Sequence, residues 1–459
     1  MKILILGAGR VGASVAENLA SEQNDITVVD TDATRLAALS ERLDLQTVVG
    51  DALKPSVLRR ADVDNADLMV ACTASDALNL VACRLARTMF SVPLRIARVR
   101  SAEYADHPEL LGEEGFCVDH LISPERSITQ YFRRLIELPE ALQVLDFADG
   151  RISVVTARAM LGSPLVRHAV GELQELMPDT DVRIVEIFRR EKPIPVDART
   201  QIEVDDEVVF VVDSRQARRV VRQFRQAEKS VHRVMIAGGG NIGLRLARKL
   251  AADNYSVRLI EYDRTRCELL ASELPDNVLV LHGSATDEAL LEQEGVADMD
   301  TWIAVTADDE NNIMSSLLAK RLGARKVITL INRPAYGDLM QGSRIDVALS
   351  PAQITLSEIL RYVRRGDVVA ARRLRRGGPE VLEAVAHGDR RTSSVVGREL
   401  SALRLPSGAM IAAVVRDEHI FMADQNPVIE DGDHVIVFVP DRRQIARVEK
   451  LFQVSAAFF

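Results

Sequence analysis

Residues 2–30 read KILILGAGRVGASVAENLASEQNDITVVD, and residues 233–261 read RVMIAGGGNIGLRLARKLAADNYSVRLIE. At a constant offset Gly7, Gly9 and Gly12 fall on Gly238, Gly240 and Gly243, and Asp30 falls on Glu261. In each copy a short apolar run leads into glycines, then a helical pattern, then a second apolar run that ends on an acid. A strand, a tight turn, a helix and a second strand make the repeating unit of a parallel sheet covered on both faces.

The correspondence continues beyond these segments. Gly50 matches Gly283, and MVACTASDALNLVACRLAR matches IAVTADDENNIMSSLLAKR, so Thr73, Asp76 and Asn79 fall on Thr306, Asp309 and Asn312. Asp119 to Pro124 matches Asp346 to Pro351. Ordered matches over this length mean an internal duplication. The expected fold class is α/β, with two Rossmann-like, doubly wound parallel-sheet domains at 1–125 and 232–352. Each is followed by a small α+β domain, at 140–228 and 368–454, whose runs ISVVTA, VRIVEIF and EVVFVV are answered by MIAAVV and HVIVFV. Turn chemistry precedes the last strand of each, Ile202 to Asp206 and Ile429 to Asp433. The seam between the halves falls near Lys229 to His232.

A helical pattern from Arg126 to Leu138 joins the first two modules, with Ile128, Phe132, Leu135 and Ile136 near one face; Ile354, Ile359, Leu360 and Val363 occupy the same place in the second half. Such a helix can cover its own sheet or be exchanged with the neighbouring Rossmann unit. Both arrangements fit the pattern.

The glycine loops carry the chemistry. In Gly7-Ala8-Gly9-Arg10-Val11-Gly12 the first glycine permits a tight turn, the second lets a pyrophosphate approach the backbone, and the third lets helix and strand pack closely. Amide groups at the helix start then attract phosphate. The second loop is Gly238-Gly239-Gly240-Asn241-Ile242-Gly243. Asp30 and Glu261 are placed to accept hydrogen bonds from adenosine ribose hydroxyls, and their charge favours NAD(H) or a simple adenine nucleotide over NADP. Thr73, Ala74, Thr306 and Ala307 follow the fourth strand of each sheet, at the carboxyl edge where ligands sit. Asp51 follows the third strand, lining the crevice or capping a helix. Arg98 ends the fifth strand and is placed to reach phosphates; direct alignment pairs it with Ile331, with Arg333 nearby. Arg35 and Arg266 follow the two acids by five residues and are placed to lie over the adenine, although such residues are more often solvated helix arginines.

Composition narrows the function. Net charge is −9 with a pI near 5.6, which argues against broad attraction to nucleic acid. No apolar run approaches the roughly 18 residues of a membrane helix, and MKILILGAGR is too short and too quickly broken by glycine to be a signal peptide; the expected compartment is the cytosol. Cys72, Cys83, Cys117 and Cys267 show no metal-ligand spacing, and no metal site is expected. Asp205, Asp206, Asp431 and Asp433 allow an ion site in the small domains, but acidic turns account for them. No histidine stands in an acid–base constellation, and His120 is replaced by Val347 in the second half. A catalytic residue is therefore not assigned, and the chain reads as a sensor more readily than an enzyme. Seven arginines lie between Arg361 and Arg376; they would meet anionic headgroups or an acidic loop of a partner, or form a solvated helix and turn.

The duplicated plan, the GAGRVG and GGGNIG loops with VVD and LIE, the stretch VTADDENNIMSSLLAKRLGA, and the segments AVAHGD and GDHVIVF together resemble the TrkA family. These are peripheral nucleotide-binding subunits of bacterial Trk potassium uptake systems, built from tandem RCK modules. The resemblance spans essentially the whole chain. It implies a cytosolic regulator docked beneath a TrkH- or TrkG-type membrane potassium transporter, assembled as a homo-oligomeric ring of two or four chains. It also implies binding of NAD(H), with ATP or ADP as further ligands, at Gly7 to Val11, Asp30, Thr73, Ala74 and Arg98, and at Gly238 to Ile242, Glu261, Thr306 and Ala307. An NAD-dependent oxidoreductase and a stand-alone metabolite sensor are the competing readings.

Overall fold

The computed structural model describes residues 1–20, 24–101, 103–104, 107–224, 231–340, 343–363, 367–374 and 378–454. In its first strand, β1 (Lys2–Leu6), Ile3, Leu4, Ile5 and Leu6 are all buried. Side chains alternate between faces along a strand, so both faces of β1 must be covered. β1 pairs in parallel with β2 (Asp25–Asp30) and β4 (Leu68–Ala71). β3 (Gln46–Val49), β5 (Leu94–Arg98) and β6 (His120–Ile122) complete a parallel sheet of order β3-β2-β1-β4-β5-β6. Helices α1 (Arg10–Ala20), α2 (Ala33–Ser40), α3 (Pro55–Arg60) and α4 (Asp76–Phe90) make the crossovers.

Helix α5 (Pro124–Glu137) leads into the first small domain, where β7 (Ala141–Phe147), β8 (Ile152–Arg158), β9 (Val182–Arg189), β10 (Lys192–Ile194) and β11 (Glu207–Asp213) form an antiparallel sheet of order β10-β9-β11-β8-β7. A short α6 (Leu173–Leu176) and α7 (Ala217–Arg222) accompany it. The second half repeats the plan. Strands β12 (Arg233–Ala237), β13 (Ser256–Glu261), β14 (Val278–His282), β15 (Thr301–Ala304), β16 (Lys326–Leu330) and β17 (Val347–Leu349) take the order β14-β13-β12-β15-β16-β17. Its helices are α8 (Asn241–Ala252), α9 (Arg264–Glu273), α10 (Glu288–Gln293), α11 (Asp309–Arg321), α12 (Pro334–Leu339) and the connecting α13 (Pro351–Val363). The last sheet holds β18 (Val368–Arg373), β19 (Glu380–Val385), β20 (Met410–Arg416), β21 (His419–Met422) and β22 (His434–Val439), with α14 (Ile445–Phe452) after it. Its order, β18-β19-β22-β20-β21, is the first small sheet read from the other edge.

The connecting helices are exchanged. Ile128, Phe132, Leu135 and Ile136 of α5 share a core with Leu246, Ala247 and Leu250 of α8 and with Val234, Ile236 and Ile328 of the second parallel sheet. Leu356, Ile359, Leu360 and Val363 of α13 share one with Val15, Ala16 and Leu19 of α1 and with Ile3, Val70 and Ile96 of the first. Each helix thus covers the other half's sheet, at ~1.5–3 kcal/mol for each large apolar side chain removed from water. The Arg133–Asp253 ion pair, 2.9 Å, ties α5 to the end of α8, and Ser127 Oγ donates to Glu358 Oε1 between α5 and α13. His120 of β6 lies against Tyr362 of α13, with ring centroids 3.8 Å apart.

The small domains also pack on each other. Phe147, Val154, Val185, Phe188, Val209 and Val211 meet Ala412, Ala413, Val415, Ile436 and Phe438 in one apolar layer. Each sheet carries the same clamp: Arg189 donates to both carboxylate oxygens of Asp206 at 2.9 and 2.8 Å, and Arg416 to both of Asp433 at 2.8 Å. The Glu203 and Glu430 amides donate to those same acids at 2.8 Å. Asp206 and Asp433 are therefore engaged in structural bonds that account for the acidic turns. Of the seven arginines near the second connecting helix, Arg372 donates to the Ser357 carbonyl at 2.7 Å and Arg373 to Glu380 at 3.1 Å. Arg364, Arg365, Arg375 and Arg376 lie outside the described residues, as do the side chain of Arg361 and the part of the seam before Val231.

Candidate functional site

Both glycine loops follow the central strand and open a helix. Gly7 has φ +107° and Gly238 φ +108°, a conformation that favours glycine. A Cβ on Gly12 would stand 1.9 Å from the Gly7 carbonyl oxygen, and one on Gly243 equally close to that of Gly238. Packing alone therefore demands the first and third glycines. The middle ones differ: a Cβ on Gly9 or Gly240 would meet no atom within 4 Å. No protein contact requires glycine there, whereas a phosphate lying against the backbone does. That open cradle fits the pyrophosphate group of a nucleotide.

The acids close the loops from the next strand. Asp30 accepts from the Ala8 amide at 2.5 Å and the Asp32 amide at 2.9 Å; Glu261 accepts from Gly239 at 2.7 Å and Asp263 at 2.9 Å. Glutamate is a methylene longer, and a Cβ on Gly239 would stand 3.0 Å from Glu261 Oε2 and 2.3 Å from Leu270 Cδ1. That crowding explains why glycine replaces Ala8 in the second loop. Asp32 caps α2, while Arg266 Nε donates to the Gly239 carbonyl at 2.8 Å, closer to the loop than a solvated helix arginine would lie. Arg35 pairs with Asp32 at 3.2 Å.

At the carboxyl edge two buried asparagines set the crevice floor. Asn79 Oδ1 accepts from the Thr73 amide at 2.9 Å and from Thr73 Oγ1 at 2.7 Å, while its Nδ2 donates to the Arg98 carbonyl at 2.8 Å. Asn312 makes the same bonds to Thr306, 2.9 and 2.7 Å, and to the Leu330 carbonyl, 3.0 Å. Asp76 accepts from the Arg100 and Ser101 amides, and Asp309 from those of Asn332 and Arg333. The sequence match showed these four acids and amides as equivalent pairs without revealing that they join β4 to the end of β5, and β15 to the end of β16. It also misplaced one partner. The counterpart of Arg98 is Leu330 rather than Ile331, because the second half has one residue fewer between Asn312 and the strand end.

One cavity of about 1070 Å³ is lined from both halves. Gly7, Ala8, Gly9, Arg10, Val11, Asp30, Asp51, Thr73, Ala74 and Arg98 line it from the first half, and Gly240, Asn241, Ile242, Thr306 and Ala307 from the second. Gly12, Gly238, Gly239, Gly243 and Glu261 stand outside that lining. Asp51 lines the cavity and accepts from the Leu53 amide at 2.9 Å; it does not cap α3, whose N-cap position is Lys54. Sequence reasoning missed Pro124, Glu125, Ile128, Pro351 and Ala352, the first turns of the connecting helices, which line the same cavity. Pro124 and Glu125 reach it directly from the end of β6, where Ile122 pairs with Arg98. Arg98 reaches Glu125 at 3.3 Å, and Arg98 Nε and Glu125 Oε2 are buried with no hydrogen-bond partner among the described residues.

No described histidine lines the cavity. His168 pairs with Glu172 and His434 with Glu383, while His120 stacks on Tyr362. The Cys72 thiol lines it, but burial pushes its pKa up to about 12, which suits packing rather than nucleophilic attack. All four cysteines are buried and free. No described helix is long and apolar enough to cross a membrane.

Comparison with known proteins agrees with this architecture. The TrkA-N domain model matches residues 3–124 and 234–351, and the TrkA-C domain model residues 154–225 and 390–453. The Trk system potassium uptake protein TrkA of Halomonas elongata is 50% identical over 459 residues, covering all of both chains, and that of Vibrio alginolyticus is 49% identical over the same span. Among solved structures, the GsuK RCK domain matches with a TM-score of 0.61 at 18% identity, over 98% of this chain and 94% of that one. The GsuK channel bound to NAD matches with the same score and identity, over 98% and 78%. At that identity the likeness is one of fold.

Proposed function

The chain belongs to the TrkA family of Trk-system potassium uptake proteins, and from that premise we propose that it is a nucleotide-sensing regulatory subunit that gates a TrkH- or TrkG-type membrane potassium transporter. NAD(H), or ATP or ADP, is the signal. In the first half the loop amides from Gly7 to Val11 hold the phosphates, Asp30 holds the ribose, and Thr73, Ala74 and Arg98 line the far end. Gly238 to Ile242, Glu261, Thr306 and Ala307 do so in the second. The chain works in the cytosol, at the inner membrane face, through its transporter partner.

The observation that carries this reading is the placement of Pro124, Glu125 and Ile128. They line the crevice, yet the helix they begin is packed on the other half of the chain. A ligand that touches both the crevice and that helix start favours one angle between the halves. Its leverage is its difference in affinity for the two shapes, ~1–3 kcal/mol per site in typical cases. Several coupled sites would shift a pore.

A ring of copies is the assembly in which such sites add. Val81 and Met89 of α4 are exposed, with half-buried Leu85 between them, and their counterpart on α11 is Met314, 60% exposed, while Leu318 and Leu322 pack partly on the core of their own half. We assign the exposed apolar residues Val81, Met89 and Met314 to contacts between copies.

The test is potassium flux through the transporter reconstituted with this chain, with and without NADH, ATP and ADP. Ligand-dependent flux supports the reading. Nucleotide binding with unchanged flux and unchanged ring geometry overturns it.

A further inference from the structure

We propose that the two crevices of one chain are specialised for different ligands. The first takes a nucleotide that ends in phosphate, and the second takes one whose far end is uncharged, as in a dinucleotide that ends in an amide-bearing ring. The proposal rests on the nucleotide-binding reading above and goes beyond it by separating the two sites.

Position-by-position equivalence through the fold supplies the argument. The Asn79 and Asn312 side chains donate to the carbonyls of Arg98 and Leu330, so those two residues hold the same place. Asp76 and Asp309 accept from the amides of Arg100 and Asn332, which fixes the next pair. Pro124 and Pro351 each begin a connecting helix, so Glu125 matches Ala352. All six residues line the cavity. At each of the three places the first crevice has a charged residue and the second a neutral one.

The charged set is also poised for an anion. Glu125 meets Arg98 through a single contact at 3.3 Å, and Arg98 Nε remains buried without a partner among the described residues. A buried donor in that state is satisfied by an arriving phosphate oxygen. Arg100 donates its backbone amide to Asp76 and lines the cavity together with Arg98. In the second crevice Leu330 and Ala352 offer apolar surface, and Asn332, whose Nδ2 donates to Asp309 at 2.8 Å, offers its carboxamide oxygen. A terminal phosphate would lose water there and gain no cation. A neutral ring with an amide substituent loses little and gains a hydrogen-bonding partner.

The two sites can be read separately in the full chain, because Gly9 and Gly240 face open space. Gly9→Val and Gly240→Val obstruct one cradle each from a Cβ that meets no atom within 4 Å, and an unchanged melting temperature for each variant verifies the fold. Calorimetric titration with AMP, ADP, ATP and NAD⁺ then reports one crevice at a time. With only the first crevice open, affinity is expected to rise about tenfold or more from AMP to ATP, the scale of one or two charge-assisted bonds. Arg98→Leu in that background flattens the rise. With only the second crevice open, the three mononucleotides are expected to bind within about threefold of one another and NAD⁺ to bind more tightly than ATP. Identical rankings in the two crevices overturn the specialisation while leaving nucleotide sensing intact. Failure of the unmutated chain to bind any of the four compounds overturns both.

Discussion

Lys326, the first residue of β16 in the second half, donates its ammonium to the Leu135 carbonyl at the end of α5, 2.9 Å away, and to the Ala141 carbonyl at the same distance. The side chain is buried, so this cation serves the last turn of a helix that belongs to the other half of the chain. Lys326→Met keeps the apolar stem and leaves those carbonyls without their donor. The expected loss is about 2 kcal/mol of unfolding free energy, within the range for orphaning buried acceptors. Urea denaturation measures it. A variant as stable as the parent would show that water replaces the ammonium.

The glycine loops make a sharper contrast. Gly12→Ala puts a methyl group 1.9 Å from the Gly7 carbonyl oxygen, which only a shift of helix against strand relieves. We expect it to destabilise the first half by ~1–3 kcal/mol or more, as overpacking of a tight contact does. Gly9→Ala meets nothing and should leave the melting temperature in place while weakening adenine nucleotide binding in the first crevice. Thermal unfolding with and without ligand distinguishes the two variants. Equal destabilisation by both would mean that the middle glycine is structural.

Much of this was legible in the sequence, and the limits are physical. Local chemistry fixes the glycine turns, the parallel strands and the acids after β2 and β13, so those could be read directly. The partner of α5 could not. Its apolar face, Ile128, Phe132, Leu135 and Ile136, is complementary to either sheet, and no local residue says which sheet it meets. Glu125 and Ala352 escaped notice because no motif marks a helix start after the sixth strand, although pairing of Ile122 with Arg98 and of Leu349 with Leu330 sets both at the crevice. The register of Arg98 against Leu330 was missed because a single-residue deletion leaves the apolar pattern of the strand unchanged. For Arg266 the choice between the adenine and solvent stayed open because nothing in α9 indicates that its guanidinium turns back to the Gly239 carbonyl.

Glu186 gives a prediction with pH. It sits on β9 opposite Val209, whose side chain belongs to the apolar layer between the two small sheets, and burial raises its carboxyl pKa to about 7. The folded chain therefore holds a proton that the unfolded chain has already released once pH exceeds its ordinary value near 4.5. Stability contributed by this group is full below about pH 4.5, falls as pH rises towards 7, and then levels off. Glu186→Gln removes that slope. At pH 8 the variant should be more stable than the parent by an amount on the order of 1 kcal/mol, and below pH 5 the two should converge. Chemical denaturation across pH 5–8 tests it, and parallel curves for both proteins would refute the assignment.

Exchange of the connecting helices carries a prediction about where damage appears. Phe132 is fully buried in α5, a helix that follows the first parallel sheet in sequence, and its ring lies in the core that includes Leu246, Leu250 and Ile328 of the second half. Phe132→Ala should cost ~3–5 kcal/mol, as deletion of a buried aromatic ring does. If α5 covered its own sheet, amide exchange would quicken in β4 and β5. In the exchanged arrangement it quickens instead in α8, β12 and β16, more than a hundred residues downstream, while the first sheet stays protected. Leu360→Ala in α13 should do the reverse, loosening α1 and the first sheet, because Leu360 packs with Val15 and Leu19. Hydrogen–deuterium exchange on the two variants reads both patterns at once. The exchange requires the two to be mirror images, since each half is completed by a helix that the other half supplies.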